Sequence, residues 1–247
     1  MEFRKVYDLI PEEFDKWRPR YCEEAFDHII RYADLKPGKR VLEIGPGTGQ
    51  ATLPLLQTEC DYVGIELGSH LFEYTKNKFA DYGNLTMIND DFCTHNFANE
   101  QFDMVFSAAT IQWIPEEIAF SRAFELLKPG GCLVMIANLG NEEHRNSAGL
   151  LAEKNTIYEK YFKPETHYNC RINKGNVINY GFLPIEVADY EYDTDMSADD
   201  FVSLTMTHAD HITLQEPNRS LFMNGLRDAI NQHGGIWKCH DRVNIVK

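Results

Sequence analysis

One short stretch constrains this chain more than any other: Glu43-Ile44-Gly45-Pro46-Gly47-Thr48-Gly49-Gln50. It follows an apolar run at 40–44 that reads as a buried strand. It opens a segment, 50–58, that reads as a helix shortened or kinked by Pro54. Gly45 and Gly47 leave the backbone free to turn tightly or to touch a ligand. The start of a helix offers unpaired N–H groups that attract a carboxylate or phosphate. The spacing separates ligands. A dinucleotide fingerprint, G-x-G-x-x-G, needs a small residue where Gln50 stands, and the Gly-Lys-Ser/Thr of a phosphate-binding P-loop is missing. What stands here is E-x-G-x-G-x-G.

The segments downstream repeat the same alternation. Strands are expected at 61–66, 85–88, 102–106 and 132–137, and helices at 69–80 and 116–127, the latter stopped by Lys128-Pro129-Gly130-Gly131. Such alternation implies right-handed βαβ units and a parallel sheet covered on both faces. Ligands then bind at the carboxyl ends of the strands, where strand order reverses. After residue 138 the alternation stops. A helical stretch within 141–161, a loop over 166–180, a strand over 182–192, helices at 197–205 and 216–233 and a last strand at 242–246 are expected there. Ahead of the glycine stretch, 1–36 reads as a helical prelude whose part from 21 to 35 is amphipathic.

The charge bounds the partners. With 38 Asp and Glu against 24 Lys and Arg, the 247 residues carry a net charge of −14. A surface this acidic repels phosphate backbones and anionic membranes. Six cysteines, at 22, 60, 93, 132, 170 and 239, form no C-x-x-C and read as free thiols of a reducing compartment. The first residues hold no apolar signal region, and the longest apolar run, 132–137, is too short to span a bilayer. A cytoplasmic location is expected.

Two acidic positions complete the cofactor reading. Glu66 ends the second strand, where a carboxylate can accept from both hydroxyls of a ribose lying across the glycine loop. Just past the third strand stand Asn89-Asp90-Asp91-Phe92, where an acid can accept from an adenine amino group and an aromatic ring can cover the base. Asp90 and Asp91 compete for that role. The set resembles the class I S-adenosylmethionine-dependent methyltransferases. The resemblance rests on Val41 to Gly49, Glu66, Asp91, Phe102-Asp103-Met104-Val105-Phe106-Ser107 and Leu126-Leu127-Lys128-Pro129-Gly130-Gly131, and it covers roughly residues 16–138. Arg18-Pro19-Arg20-Tyr21 and the loop from Ser107 to Pro115 are similar to the small-molecule branch that includes trans-aconitate methyltransferase. The Asn-Pro-Pro-Tyr type tetrapeptide of many base-methylating enzymes is absent.

The resemblance implies an α/β fold: a Rossmann-like sheet of seven strands, mostly parallel with one antiparallel strand near the C-terminus, helices on both faces, an N-terminal lid and an inserted cap. The implied organisation is a lid over 1–36, an S-adenosylmethionine-binding core over 37–138, a cap over 139–217, and a helix and strand over 218–247 that complete the core. The implied cofactor-binding residues are Glu43, Gly45, Gly47, Gly49 and Glu66, then Leu67, Asp91, Phe92 and Ser107, with Tyr21 closing over the cofactor. Glu43 serves the glycine loop, the methionine amino group or nearby backbone.

Methyl transfer from a sulfonium leaves a neutral thioether, so it demands orientation, water exclusion and a deprotonated nucleophile rather than an acid. A base is needed only when the nucleophile carries a proton. No catalytic residue is identifiable from the sequence. Gln112 and Trp113, after the fourth strand, and His167 and Arg171, in the cap, are substrate-binding candidates. Trp113 packing under the next helix is the alternative. His208 and His211, three apart, are a base or metal pair or simply structural, and no third metal ligand is evident, so no metal is expected. The acidic run 189–200 reads as solvated surface. The partner expected is a small-molecule acceptor, without nucleic acid or membrane, for a monomer or homodimer. A cofactor-binding protein without transfer activity, a protein or RNA methyltransferase and an NAD-dependent oxidoreductase remain the alternatives.

Overall fold

Apolar runs become strands here because both of their faces are covered. The structure, a computed structural model, describes residues 3–140, 145–165 and 172–247. Strands β1 (Arg40–Ile44), β2 (Asp61–Glu66), β3 (Leu85–Asn89), β4 (Phe102–Ala108) and β5 (Leu127–Gly140) run parallel to one another. With β6 (Val187–Ser197) and β7 (Ile236–Val246) they form a seven-stranded sheet in the order β3-β2-β1-β4-β5-β7-β6. Strand β7 lies antiparallel to both β5 and β6, so one strand runs against the rest.

Alternation sorts the core into two layers. Leu42, Ile44, Val63, Ile65 and Val105 face helix α5 (Glu116–Leu126) through Ala119, Phe120 and Ala123. Val41, Tyr62, Met104 and Phe106 face α2 (Glu23–Tyr32) through Phe26 and Ile29, and α3 (Thr52–Leu56) through Leu55 and Leu56. The expected helix over 50–58 shrinks to those five residues. Pro54 sits in its first turn, where no N–H is needed. Two further helices, α1 (Pro11–Trp17) ahead of α2 and α4 (Ser69–Lys78) after β2, flank the carboxyl ends of the first strands.

The later half builds a third cluster. Helices α6 (Ala148–Tyr161), α7 (Ala198–Thr205), α8 (Ala209–Ile212) and α9 (Asn218–Gln232) follow. Phe201, Phe222 and Leu226 gather with Trp237 of β7, whose ring stacks on Phe201 at 4.2 Å. Residues 139–217, expected as a cap, also contain β6, an edge strand of the sheet. It starts at Val187 rather than 182, beyond Pro184, which has no N–H to donate to a ladder. The expected loop before it holds a 3₁₀ helix, Lys174–Tyr180, ended by Gly181 at φ 95°.

The acidic run meets a partner that sequence reading overlooked. Register places Asp189, Glu191, Asp193 and Asp195 of β6 opposite Asn244, Arg242, His240 and Lys238 of β7. His240 Nδ1 lies 2.8 Å from Asp193 Oδ1, and Asn244 Nδ2 donates to Asp189 Oδ1 at 2.8 Å. Opposite charges facing each other across strands contribute about 0.2–1 kcal/mol per pair. The run is solvated, and it also helps to fix register. No helix among the described residues is long and apolar enough to cross a membrane.

Candidate active site

Strand order reverses between β1 and β4, and the loops at their carboxyl ends part there to form a cavity of about 460 Å³. The loops after β1, β2, β3 and β4 line one wall. Residues 4–21, Asn138 at the end of β5 and His208 between α7 and α8 line the other. The cavity brings together Gly45, Gly47, Glu66, Leu67, Asp91 and Phe92 with Tyr21, Gln112 and Trp113. Glu43, Gly49 and Ser107 do not line it; they hold its walls. Of the remaining candidates, His167 and Arg171 lie outside the described residues.

The glycine loop is shaped by contacts behind it. Gly45 stands at φ 65°, and a Cβ there would meet Thr110 Oγ1 at 2.8 Å. Gly49 makes room for Phe79 rather than for a ligand. Beneath the loop, Glu43 is fully buried. Its Oε2 accepts from Thr52 Oγ1 at 2.6 Å and from the Tyr62 hydroxyl at 2.9 Å, while Oε1 has no partner among the described residues. Burial pushes its carboxyl up to about 7, although both hydroxyls pull the other way. Glu43 therefore ties β1 to α3 and β2 through side chains. Ser107 Oγ accepts from Ile111 N at 3.0 Å and so fixes the short helical turn after β4.

Glu66 closes the loop from the other side. Its Oε2 accepts from Gly47 N at 2.9 Å and its Oε1 from Gly68 N at 3.0 Å. Burial raises this carboxyl to about 7, against the pull of those N–H groups. Each oxygen keeps one lone pair, which is what a pair of ribose hydroxyls requires. At Asp91, burial acts upward but is outweighed. Arg4 donates to both oxygens, at 3.2 and 2.7 Å, and Cys93 N donates to Oδ1 at 2.9 Å, so the carboxyl is held down at about 2. One lone pair of Oδ2 is left for an adenine amino group. Asp90 is committed to His95 and to Asp91 N.

Residues 3–21 hold the front wall, and no local sequence signal announced most of them. Asp8 reaches α4, whose N-cap Gly68 lacks a side chain. Its Oδ1 accepts from His70 N at 2.7 Å and from Leu71 N at 2.8 Å, acting as an N-cap supplied from outside the helix. Phe3 and Tyr7 pack on Trp113 with ring centroids 5.8 and 5.6 Å away. Trp113 is thus pinned by the N-terminal segment.

The far end of the cavity is aromatic and polar. Tyr7, Phe14 and Tyr21 surround Arg18, and burial pushes the Tyr21 phenol far up. Gln112 Nε2 donates to Ala109 O at 2.8 Å. Ala109 itself sits at φ 55°, a conformation that costs a non-glycine residue about 1–2 kcal/mol and turns the chain sharply into the cavity wall. Asn138 Oδ1 is buried without a partner among the described residues. The two histidines part company. His208 faces the cavity, whereas His211 is packed among Tyr158, Phe162 and Phe222. No group of three His, Cys, Asp or Glu among the described residues could hold a metal.

Residues 41–131 match the family described as methyltransferase domain. Over that stretch, a little more than a third of its length, the chain is similar to a methyltransferase domain. The chain resembles the ribosomal RNA small subunit methyltransferase of Arabidopsis thaliana mitochondria, 38% identical over 82 residues, which is 32% of this chain and 21% of that protein. It spans 21%, 5% and 63% of the length of the first three curated relatives, less than two thirds of each. Among solved structures, the YcgJ protein of Bacillus subtilis superposes with a TM-score of 0.58 at 13% identity, covering 91% of this chain and 97% of that one. The phosphoethanolamine N-methyltransferase 2 of Haemonchus contortus, solved with phosphomonomethylethanolamine and S-adenosylhomocysteine, does so at 0.56 and 17% identity, covering all of this chain and 60% of that one. At these identities the likeness is one of fold. The matched stretch runs from β1 to the start of β5, and the loops after β1, β2, β3 and β4 that line the first wall of the cavity lie within it.

Proposed function

We propose that this protein transfers a methyl group from S-adenosylmethionine to a small-molecule acceptor. One observation carries the reading: the glycine loop, Glu66 and Asp91, each at the end of a successive strand, converge on one cavity with free carboxylate lone pairs aimed at it. Glu66 receives the ribose hydroxyls, Asp91 the adenine amino group, and Leu67 and Phe92 cover the base. The bound cofactor supplies a methyl group on a sulfonium whose leaving group is neutral. The chain's own work is then to orient and to exclude water. Trp113, Tyr7, Phe14 and Tyr21 form the dry aromatic wall that does so.

A cavity of about 460 Å³ shared with a cofactor leaves room for a small acceptor. The Haemonchus contortus enzyme, with its phosphomonomethylethanolamine, fits that reading. The Arabidopsis thaliana relative would favour RNA, and a net charge of −14 weighs against it.

Calorimetry with S-adenosylhomocysteine tests the cofactor half. Wild-type protein binds, and Glu66→Ala binds about 10- to 100-fold more weakly, as the loss of about 1.5–3 kcal/mol from charge-assisted hydrogen bonds requires. Equal binding by both removes the ribose assignment. A panel of small amines, phenols and carboxylic acids, read by release of S-adenosylhomocysteine, tests the transfer half. Cofactor binding without turnover of any member favours a binding protein acting through partners.

A further inference from the structure

A second cavity, of about 640 Å³, shares no lining residue with the first. It lies between residues 94–101, which lead from β3 into β4, and the last turns of α5. The loop is held in shape from within. Thr94 N and His95 N donate to Asp91 O at 3.0 and 2.9 Å, and Glu100 N donates to Phe97 O at 2.9 Å. Phe97 is buried, with the rings of Phe92 and Phe102 at 6.1 and 6.2 Å. His95 lines the cavity too, and its Nδ1 lies 2.8 Å from Asp90 Oδ2.

Arg122 of α5 is the one arginine or lysine among the described residues that lines this cavity. Its guanidinium stands 5.5 and 6.0 Å from the ring centroids of Phe92 and Phe97, and its Nη2 donates to His95 O at 2.5 Å. Its Nε is buried with no hydrogen-bond partner among the described residues, and its Nη1 has none among them either. No carboxylate among those residues pairs with it. Two rings and one carbonyl therefore hold a full charge, and none of the three is an anion. Glu100 is engaged elsewhere, with Arg40 at 2.8 Å. Glu125, one turn along α5 from Arg122, lines the cavity, is exposed and is unpaired among the described residues.

The walls around this cation are polar. The side chains of Thr94, Asn99 and Gln101 make no hydrogen bond among the described residues. Asn96 uses only its Oδ1, which accepts from Ala98 N at 2.9 Å. These groups suit hydroxyls, which both donate and accept. The charges set the charge of the ligand. One uncompensated cation faces one free carboxylate on a protein of net charge −14, which opposes a dianion such as phosphate and leaves room for a single carboxylate. The volume suits a ligand much larger than an inorganic ion.

We propose that the cavity between residues 94–101 and α5 binds a polyhydroxy monocarboxylate, a molecule of the sugar-acid class. The Arg122 guanidinium takes the carboxylate, and Asn96, Asn99, Gln101 and Glu125 take the hydroxyls. The site stands independently of the cofactor reading.

Nuclear magnetic resonance titrations test it with four probes: glucuronate; glucose, which lacks the charge; acetate, which lacks the hydroxyls; and inorganic phosphate. The Nε–H signal of Arg122, identified by its loss in Arg122→Gln, reports the cation, and the backbone N–H signals of 94–101 report the wall. Glucuronate shifts both saturably and binds about tenfold or more tightly than the other three, as a charge-assisted pair joined by hydroxyl contacts requires. In Arg122→Gln the glucuronate shifts vanish while signals from the rest of the sheet stay in place. Because Arg122 packs on two buried rings, a second variant guards against misfolding: Asn99→Leu, at an exposed position, weakens glucuronate and leaves acetate unchanged. The absence of a saturable glucuronate shift in wild type overturns the site. So does equal glucuronate binding by folded Arg122→Gln, or glucose or phosphate binding as tightly as glucuronate.

Discussion

The two walls of the cavity are built on opposite plans. The cofactor wall comes from one stretch, 43–113, in which each contributing residue sits at the end of the next strand. The facing wall is assembled from residues 4–21, Asn138 and His208, which only the completed fold brings together. The first wall is anchored by backbone: Glu66 is fixed by the N–H groups of Gly47 and Gly68. The second is held by side chains: Arg4 on Asp91, Asp8 on α4, and Trp113 between Phe3 and Tyr7. A wall fixed by backbone suits a ligand that never changes. A wall fixed by side chains can differ between relatives without disturbing the sheet.

Four substitutions press on that contrast, beyond the loss at Glu66 already described. The largest effect on stability belongs to Trp237→Ala, in the cluster behind the second wall. Removing this fully buried ring costs about 3–5 kcal/mol. Because β7 is shared between that cluster and the sheet, chemical denaturation stays a single transition while its midpoint falls. Two separated transitions would show instead that the walls unfold independently. Asp8→Ala removes the borrowed cap of α4 and costs about 0.5–2 kcal/mol, read from the same curves. An unchanged midpoint would mean that water replaces the carboxylate.

The smallest effect is one of pH, and its sign differs between the buried carboxylates and the buried imidazole. Glu43 and Glu66 rise from 4.5 to about 7 by burial. The folded state then holds their protons more tightly, so their contribution to stability is whole below about pH 4.5 and is lost as pH climbs through 7. His211 falls from 6.5 to about 3, again by burial first. Its contribution is whole above pH 6.5 and is lost as pH falls through 3. Melting curves between pH 4.5 and 7 therefore show opposed slopes that partly cancel. Glu43→Gln uncovers the rise with pH, and His211→Gln uncovers the fall; the same slope in both variants would refute the assignment.

How much was legible follows the same division. The strands β1 to β4, their order of appearance, the turn after β1 and the place of Glu66 at the end of β2 were readable because each signal spans a few adjacent residues. Gly49 and Ser107 stand behind the cavity lining for a related reason: the motif locates a turn, but only packing against Phe79 and Ile111 N tells which side of the turn faces outward. Arg4 and Tyr7 carried no signal, since nothing in Phe3-Arg4-Lys5-Val6-Tyr7 foretells a meeting with Asp91 and Trp113 about 90 to 110 residues later. His208 and His211 looked alike in sequence, and one turn of chain decided which of them met the cavity.

The ladder between β6 and β7 has a consequence for how the chain is made. Strand β6 has β7 as its sole neighbour in the sheet, and β7 follows it by about forty residues. Until 236–246 emerge from the ribosome, the row of Asp189, Glu191, Asp193 and Asp195 lacks the cations of β7, although Arg145 already pairs with Asp193 and Asp195. Two nascent copies brought edge to edge would then set carboxylate against carboxylate, which protects an unpaired strand from joining its own kind. The arrival of Lys238, His240 and Arg242 turns that repulsion into attraction within one molecule, so the strand that waits longest for its partner is guarded while it waits.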